Sequence, residues 1–161
     1  MSADHPAELS PQALAEACAA AMWAEDLASQ GMGMRIEHIA PGAATLSMLV
    51  AEHMVNGQGD AHGGFIFALA DSAFAFACNG YNQRTVGYQA SITYMAPGRR
   101  GERLTAIARE VHRAGRSGIY DVEVIGEHGE AIATFRGHSR TVKGTHLPVR
   151  AGGNHDQAGR R

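Results

Sequence analysis

Apolar residues near the start of the chain recur at the spacing of a helix. Ser10 and Pro11 are typical of the N-cap and the first position of a helix. The alanine-rich run after them predicts a helix that continues to about Ser29 and is ended by Gly31 and Gly33.

From residue 34 onward apolar and polar residues alternate, which is the pattern of half-buried strands. Residues 34–40 and 44–52 predict two strands joined by a turn at Pro41-Gly42. Residues 65–79 are apolar almost all round, so we expect a buried helix there. Four more alternating segments predict strands at 86–97, 103–114, 117–126 and 130–143.

This order of elements predicts an α+β fold. An antiparallel sheet of about six strands buries one face by wrapping around the central apolar helix. Its strands carry apolar residues on both faces, so we expect an oligomer in which a partner covers part of the other face. Residues 11–143 are predicted to form a single domain, with a flexible leader at 1–10 and a disordered tail at 144–161.

Length and composition narrow the class of protein. A chain of 161 residues with 45% hydrophobic residues suits one globular domain. A net charge of −2 gives no reason to expect nucleic acid as a partner. The sequence shows neither a signal peptide nor a run long enough to cross a bilayer, so we expect a cytoplasmic protein with no membrane partner.

Metal and disulfide chemistry are not indicated. Cys18 and Cys78 lie in apolar stretches without CxxC spacing and are interpreted as small buried hydrophobes. The nine histidines show no HxxxH or HExxH spacing, so we predict no metal site.

Two glycines precede the buried helix. The first N–H groups of a helix are unpaired and carry partial positive charge, and glycine lets a ligand approach the backbone closely. Gly63 and Gly64 therefore indicate either an anion or oxyanion site or no more than a tight turn into the helix.

Asp71 interrupts the otherwise apolar helix. A buried carboxylate is costly unless it is paired, raised in pKa or directed into a wet cleft, so we favour a functional role over a structural one. Asp71 is eight residues beyond Gly63, about 12 Å along a helix axis. One carbonyl cannot touch both groups of one chain, whereas two antiparallel helices related by a twofold axis bring Gly63 of one against Asp71 of the other.

Two polar residues complete the loop before the helix. The Asn56 amide either orients a water or the acid, or forms an Asx turn in VNGQG. His62 either positions substrate or hydrogen-bonds local backbone.

The loop and helix resemble the hotdog-fold acyl-CoA thioesterases of the PaaI type, a family of phenylacetate catabolism. The spacing Asn-x6-Gly-x7-Asp is the specific part of the resemblance, and the similarity covers roughly residues 25–144. It is carried by Asn56, His62-Gly63-Gly64, 69–73, 92–98, 118–124 and 133–140.

The resemblance implies a hotdog fold and hydrolysis of aryl-acetyl-CoA thioesters, phenylacetyl-CoA or hydroxyphenylacetyl-CoA. It implies that the Gly63 amide polarises the carbonyl and that Asp71 of the neighbouring subunit acts as general base or nucleophile. Asn56 holds the water or the carbonyl, and His62 and Gly64 contact substrate.

The family further implies a homotetramer, a dimer of hotdog dimers. It implies no metal and no cofactor apart from the coenzyme A of the substrate. Coenzyme A lies along a subunit boundary, and Arg116 is the first candidate for its phosphates among the basic residues Arg99, Arg100, Arg113, Arg116, Arg140 and Lys143.

One position departs from the wider superfamily. Where some members carry Ser or Thr to position water, this chain has Gly87, which leaves Tyr88, Gln89 or Asn56 for that step. The alternatives are an acyl-CoA hydratase or dehydratase, disfavoured because Asp71 has no His one or two helical turns away, and a non-catalytic acyl-CoA-binding module. Phenylalanines of the central helix are interpreted as core rather than as an aryl pocket: Phe65, Phe67, Phe74 and Phe76.

Overall fold

A computed structural model of the chain describes residues 8–149. The side chain of Ser10 accepts the Ala13 N–H at 3.1 Å, which confirms the predicted N-cap. The helices are α1 (Pro11–Glu25), α2 (Leu27–Gly31) and α3 (Gly63–Cys78), and the strands are β1 (Arg35–Ala40), β2 (Ala43–Leu49), β3 (Thr85–Tyr94), β4 (Arg103–Ala114), β5 (Ser117–Ile125) and β6 (Ala131–Thr141).

The first helix is not continuous, and its predicted extension to Ser29 is wrong. It stops at Glu25, and a second helix starts at Leu27. The carboxylate of Asp26 accepts the Ser29 N–H at 2.9 Å and so caps the second helix. An aspartate side chain competes in this way with the helical backbone, which explains the break.

The six strands form one antiparallel sheet in the order β1-β2-β4-β5-β6-β3, and α3 packs against one face of it. This confirms the predicted α+β hotdog architecture, a sheet wrapped around an apolar helix. Large core side chains include Phe74, Tyr120 and Phe135, and the Phe74 ring contacts the other two. Because α3 buries eight of its 16 residues in this core, it is a rigid carrier for the polar groups along it.

Burial confirms the core interpretation for both cysteines and for two of the four helix phenylalanines. Phe74 and Phe76 are 1% and 2% exposed and belong to the core, whereas Phe65 and Phe67 are half-buried. Cys18 and Cys78 are free thiols and are buried. Burial raises the pKa of Cys78 to about 12, so this thiol is a small core residue rather than a nucleophile.

Strand β3 is an edge strand and is exposed along almost its whole length. Val86, Tyr88 and Tyr94 are each about half exposed. The ladder to β6 shifts register between Gly87 and Gln89, so Tyr88 occupies a β-bulge. A long exposed edge with apolar side chains is the surface on which strands of another chain pair.

Part of the predicted tail is folded against the body of the protein. The N–H of Arg84 donates to the Gly144 carbonyl at 3.0 Å, and the His146 ring lies 2.7 Å from the Asn79 side chain. Residues 144–149 therefore extend the folded chain beyond the predicted boundary at 143. The remainder of the predicted tail, 150–161, and residues 1–7 of the predicted leader lie outside the described residues.

Candidate active site

Asn56 organises the loop that precedes α3. Its side-chain oxygen accepts the N–H of Gln58 at 2.9 Å and of Asp60 at 3.3 Å. The Asx-type turn considered for this residue is therefore present. Because the oxygen is used in the turn, the Asn56 NH₂ group is left as a donor, and it has no hydrogen-bond partner within residues 8–149.

The N-terminus of α3 offers one free amide. His62 is the N-cap, and its Nδ1 accepts the Gly64 N–H at 2.9 Å. The Phe65 N–H bonds to the His62 carbonyl at 2.9 Å. In the part of the chain that the structure describes, the Gly63 N–H has no partner. Gly63 therefore presents an unpaired donor at the positive end of a helix.

Tyr94 stands beside this donor and was not singled out from the sequence. Its hydroxyl donates to the Gly63 carbonyl at 2.8 Å. A cavity of about 410 Å³ brings together Asn56, Gly63 and Tyr94, with Ile66 and Ala96 adding apolar wall. Only the tertiary pairing of β3 with β6 brings residue 94 to the helix N-terminus, so no local sequence signal marks it.

Asp71 lines a different cavity, of about 290 Å³, between α3 and β3. The residue is exposed at the cavity rim. Its carboxylate has no hydrogen bond or ion pair within residues 8–149. Desolvation by the apolar surroundings, which include Phe74 and Ala90, raises the pKa of Asp71 above its ordinary value. An unpaired carboxylate of raised pKa suits proton transfer or nucleophilic attack.

The segment of β3 that lines the Asp71 cavity has Gly87 in place of a Ser or Thr, and its one side-chain hydroxyl is that of Tyr88. Tyr88 contacts the ring of His138 and lies under the guanidinium of Arg140, on the face of the sheet opposite α3. Gln89 pairs with His138 and so shares that outer face. Both residues also line the rim of the Asp71 cavity.

Packing explains why residue 87 is glycine. A Cβ at Gly87 would lie 2.8 Å from Cε1 of Phe74, and a Cβ at Gly137 on the adjacent strand would lie equally close to the same atom. The Phe74 ring fills the space that a Ser or Thr would need.

Replacement of Gly87 by Ser is therefore expected to destabilise the protein by about 1–3 kcal/mol through overpacking. Chemical denaturation of the variant and of the parent protein measures this change in the free energy of unfolding. Tyr88→Ser is the neighbouring control, because residue 88 is exposed on the outer face. Equal stability of Gly87→Ser and the parent protein would contradict this account of the packing.

The basic residues predicted near coenzyme A differ in what they contact. Arg116 donates from Nε and Nη2 to the Thr141 carbonyl at 3.1 and 3.0 Å, at the end of β6. Arg113 lies 3.6 Å above the Tyr81 ring, and Arg100 pairs with Glu52 at 3.6 Å. These three guanidiniums are thus oriented by the protein itself.

The described residues lack both a cluster of metal ligands and a helix that could cross a membrane. Between residues 8 and 149 no three His, Cys, Asp or Glu side chains converge as they would around a metal ion. None of the described helices combines the length and apolarity needed to cross a membrane.

The fold and these groups define a class: a hotdog-fold protein with a free helix N-terminal amide and an unpaired carboxylate beside the same edge strand. Residues 58–133 match the family model of the thioesterase superfamily. The acyl-coenzyme A thioesterase PaaI of Escherichia coli K12 is 37% identical over 125 residues, which cover 78% of this chain and 89% of that protein.

Solved structures agree with this class. The structure of the E. coli PaaI protein from the phenylacetic acid degradation operon superimposes with a TM-score of 0.83 at 36% identity, covering 84% of this chain and 99% of that one. A Streptococcus mutans UA159 protein bound to acetyl CoA superimposes with a TM-score of 0.66 at 25% identity, covering 70% of this chain and 90% of that one.

The chain therefore belongs to the thioesterase superfamily, as an acyl-CoA thioesterase of the PaaI type. The family predicted from the loop and helix motifs is confirmed, and so is the class of reaction, hydrolysis of a thioester.

Proposed function

We propose that this enzyme hydrolyses aryl-acetyl-CoA thioesters to the free acid and coenzyme A. The Gly63 N–H donates to the thioester oxygen, and Asp71 of the partner subunit acts as general base on water or as nucleophile. The observation that carries this proposal is that α3 bears both a free amide at its start and, farther along, an unpaired carboxylate of raised pKa. A thiolate is a good leaving group, so the site needs little acid assistance.

The positions of the two cavities support a site that is shared between two subunits. Both border β3: residues 87–90 line the Asp71 cavity, and residues 94–97 line the Gly63 cavity. In a dimer, β3 would pair antiparallel with its copy about a twofold axis near residues 91 and 92. The Gly63 cavity of one subunit would then lie next to the Asp71 cavity of the partner subunit. The exposed edge of β3 supports this dimer, and two such dimers would form the predicted homotetramer.

Asn56 is the proposed holder of the attacking water. Gly87 has no side chain, and the Tyr88 ring is engaged by His138 and Arg140, so we assign the water to Asn56 rather than to β3. The free Asn56 NH₂ group can donate to a water whose proton is accepted by Asp71 of the partner subunit. The Asx turn sets the orientation of that amide.

Substrate contacts are assigned around the same loop. His62 accepts at Nδ1, so its Nε2–H is the group available to substrate. The Gly64 N–H is bonded to His62, so it is not available to substrate. The contribution of Gly64 is its lack of a side chain, which lets substrate approach the backbone closely. For the phosphates of coenzyme A we retain Arg116, whose guanidinium is held by the Thr141 carbonyl with further N–H groups to donate.

The aryl-acetyl preference is supported by relatives rather than by a pocket. The E. coli relative is an acyl-coenzyme A thioesterase, and the solved E. coli PaaI protein comes from the phenylacetic acid degradation operon. Of the helix phenylalanines, only Phe65 and Phe67 are partly exposed, and neither lines the Gly63 cavity or the Asp71 cavity.

The test is release of free thiol from a panel of acyl-CoA thioesters: phenylacetyl, hydroxyphenylacetyl, benzoyl, crotonyl and hexanoyl. We expect the two arylacetyl thioesters to have the highest kcat/KM. A higher value for hexanoyl-CoA would overturn the substrate class while leaving the thioesterase reaction intact.

A further inference from the structure

The oxyanion donor stands on an intrinsically loose piece of backbone. Gly63 and Gly64 are the first two residues of α3. Each glycine costs a helix about 1 kcal/mol relative to alanine because of its backbone freedom. A donor that must point at one oxygen atom needs that freedom removed, since electrostatic catalysis depends on groups oriented in advance.

Two side chains hold the same peptide unit from its opposite ends. The Gly63 carbonyl accepts the Tyr94 hydroxyl at 2.8 Å. The Gly64 N–H, which belongs to the same peptide group, donates to His62 Nδ1 at 2.9 Å. Because the peptide group is planar, fixing both its oxygen and its hydrogen fixes its rotation next to the Gly63 Cα.

The Tyr94 ring also restricts the position of Gly63. A Cβ on Gly63 would lie 3.0 Å from Cζ of Tyr94 and 3.1 Å from its hydroxyl oxygen. The ring therefore lies directly against the glycine backbone. Tyr94 comes from β3, the edge strand proposed to pair with the partner, so the helix N-terminus is tied to that strand.

We propose that Tyr94 is a positioning residue for the thioesterase reaction. Its hydroxyl, with His62 Nδ1 on the other side, clamps the Gly63–Gly64 peptide. The clamp holds the Gly63 Cα, and through it the N–H of the preceding peptide, so that this N–H stays aimed at the substrate oxygen. The proposal rests on the donor role given to Gly63 above.

Tyr94→Phe tests it by removing the hydroxyl and keeping the ring. We expect kcat for phenylacetyl-CoA to fall about tenfold with KM within about twofold, because the loss of an orienting bond weakens the transition state more than substrate binding. Tyr81→Phe is the matched control, because it also removes a hydroxyl that donates to a protein acceptor, here Glu110 at 2.9 Å, but lies outside both cavities. His62→Ala should lower kcat as Tyr94→Phe does and should also raise KM, because the Nε2–H proposed to contact substrate is lost. His62→Asn, which keeps an N-cap acceptor, should restore kcat but not KM.

A second measurement reads the donor directly. A ketone analogue of phenylacetyl-CoA, with CH₂ in place of sulfur, binds without being hydrolysed, and its carbonyl stretch falls in frequency when the oxygen accepts a hydrogen bond. We expect a downshift in the parent enzyme and in Tyr81→Phe, and a smaller one in Tyr94→Phe.

The outcomes separate the two proposals. A downshift that is the same in Tyr94→Phe and in the parent, with equal kcat, overturns the role of Tyr94 alone. Absence of any downshift in the parent enzyme overturns the donor role of Gly63 and the proposed mechanism.

Discussion

Asp71→Asn is expected to lower kcat for phenylacetyl-CoA by a factor of about 10²–10⁴, the usual contribution of a positioned base. Asn keeps the shape of the side chain but can neither accept a proton at this site nor attack a carbonyl. Acyl-CoA binding, measured by calorimetry with the ketone analogue, should be retained. Turnover at the parental rate would contradict the assignment of Asp71.

The pH dependence of the parent enzyme tests the same residue. Asp71 must be ionised to act, and desolvation raises its pKa above the ordinary aspartate value of about 3.9. Activity should therefore fall as pH is lowered through this raised pKa. The acid limb of the kcat/KM profile is expected above the ordinary aspartate value, and Asp71→Asn should lose that limb from its residual activity.

Stability gives the control for misfolding. A pKa that is higher in the folded state than in the unfolded state means that the fold favours the protonated carboxyl. The corresponding stabilisation is full below the unfolded pKa and is lost as pH rises through the folded pKa. At neutral pH an uncharged Asn removes the cost of desolvating the charge, so the Tm of Asp71→Asn should equal or exceed that of the parent. A clear fall in Tm would indicate a structural role.

Gly63→Pro is the second change with a large expected effect, a loss of about 10²–10³ in kcat, as found when one oxyanion donor is removed. Proline lacks the N–H, yet it is well accepted at the first position of a helix. The preceding residue, His62, has φ −62° and ψ 133°, the extended conformation that a following proline requires.

Gly63→Ala is its matched control. Both variants place a Cβ about 3.0 Å from the Tyr94 ring, but alanine keeps the N–H. We expect alanine to cost far less activity than proline, as measured by steady-state kinetics. Equal losses in the two variants would mean that crowding of Tyr94, and not the missing donor, is responsible.

Mixing the two inactive variants tests whether the site is shared. If each site takes Gly63 from one subunit and Asp71 from the other, a dimer of one Asp71→Asn chain and one Gly63→Pro chain contains one intact site. Random co-assembly should then restore about a quarter of the parental activity. No recovery in a mixture shown to contain mixed dimers would place both groups in one subunit.

Much of the fold was predictable because its signals are local. The cap at Ser10, the apolar run of α3 and the alternation of the strands are all properties of neighbouring residues. The break at Asp26 was missed because an aspartate inside an alanine-rich helix is tolerated or becomes a cap according to what packs next to it.

The sequence by itself determined most of the elements, the glycine pair at the start of α3, the carboxylate at Asp71 and the family. The tertiary structure alone decided the position of Tyr94, the direction of Tyr88 and the packing of Phe74 against Gly87. Those contacts join residues far apart in the chain and depend on strand order and on a β-bulge, because a one-residue shift in register moves a side chain to the other face of the sheet.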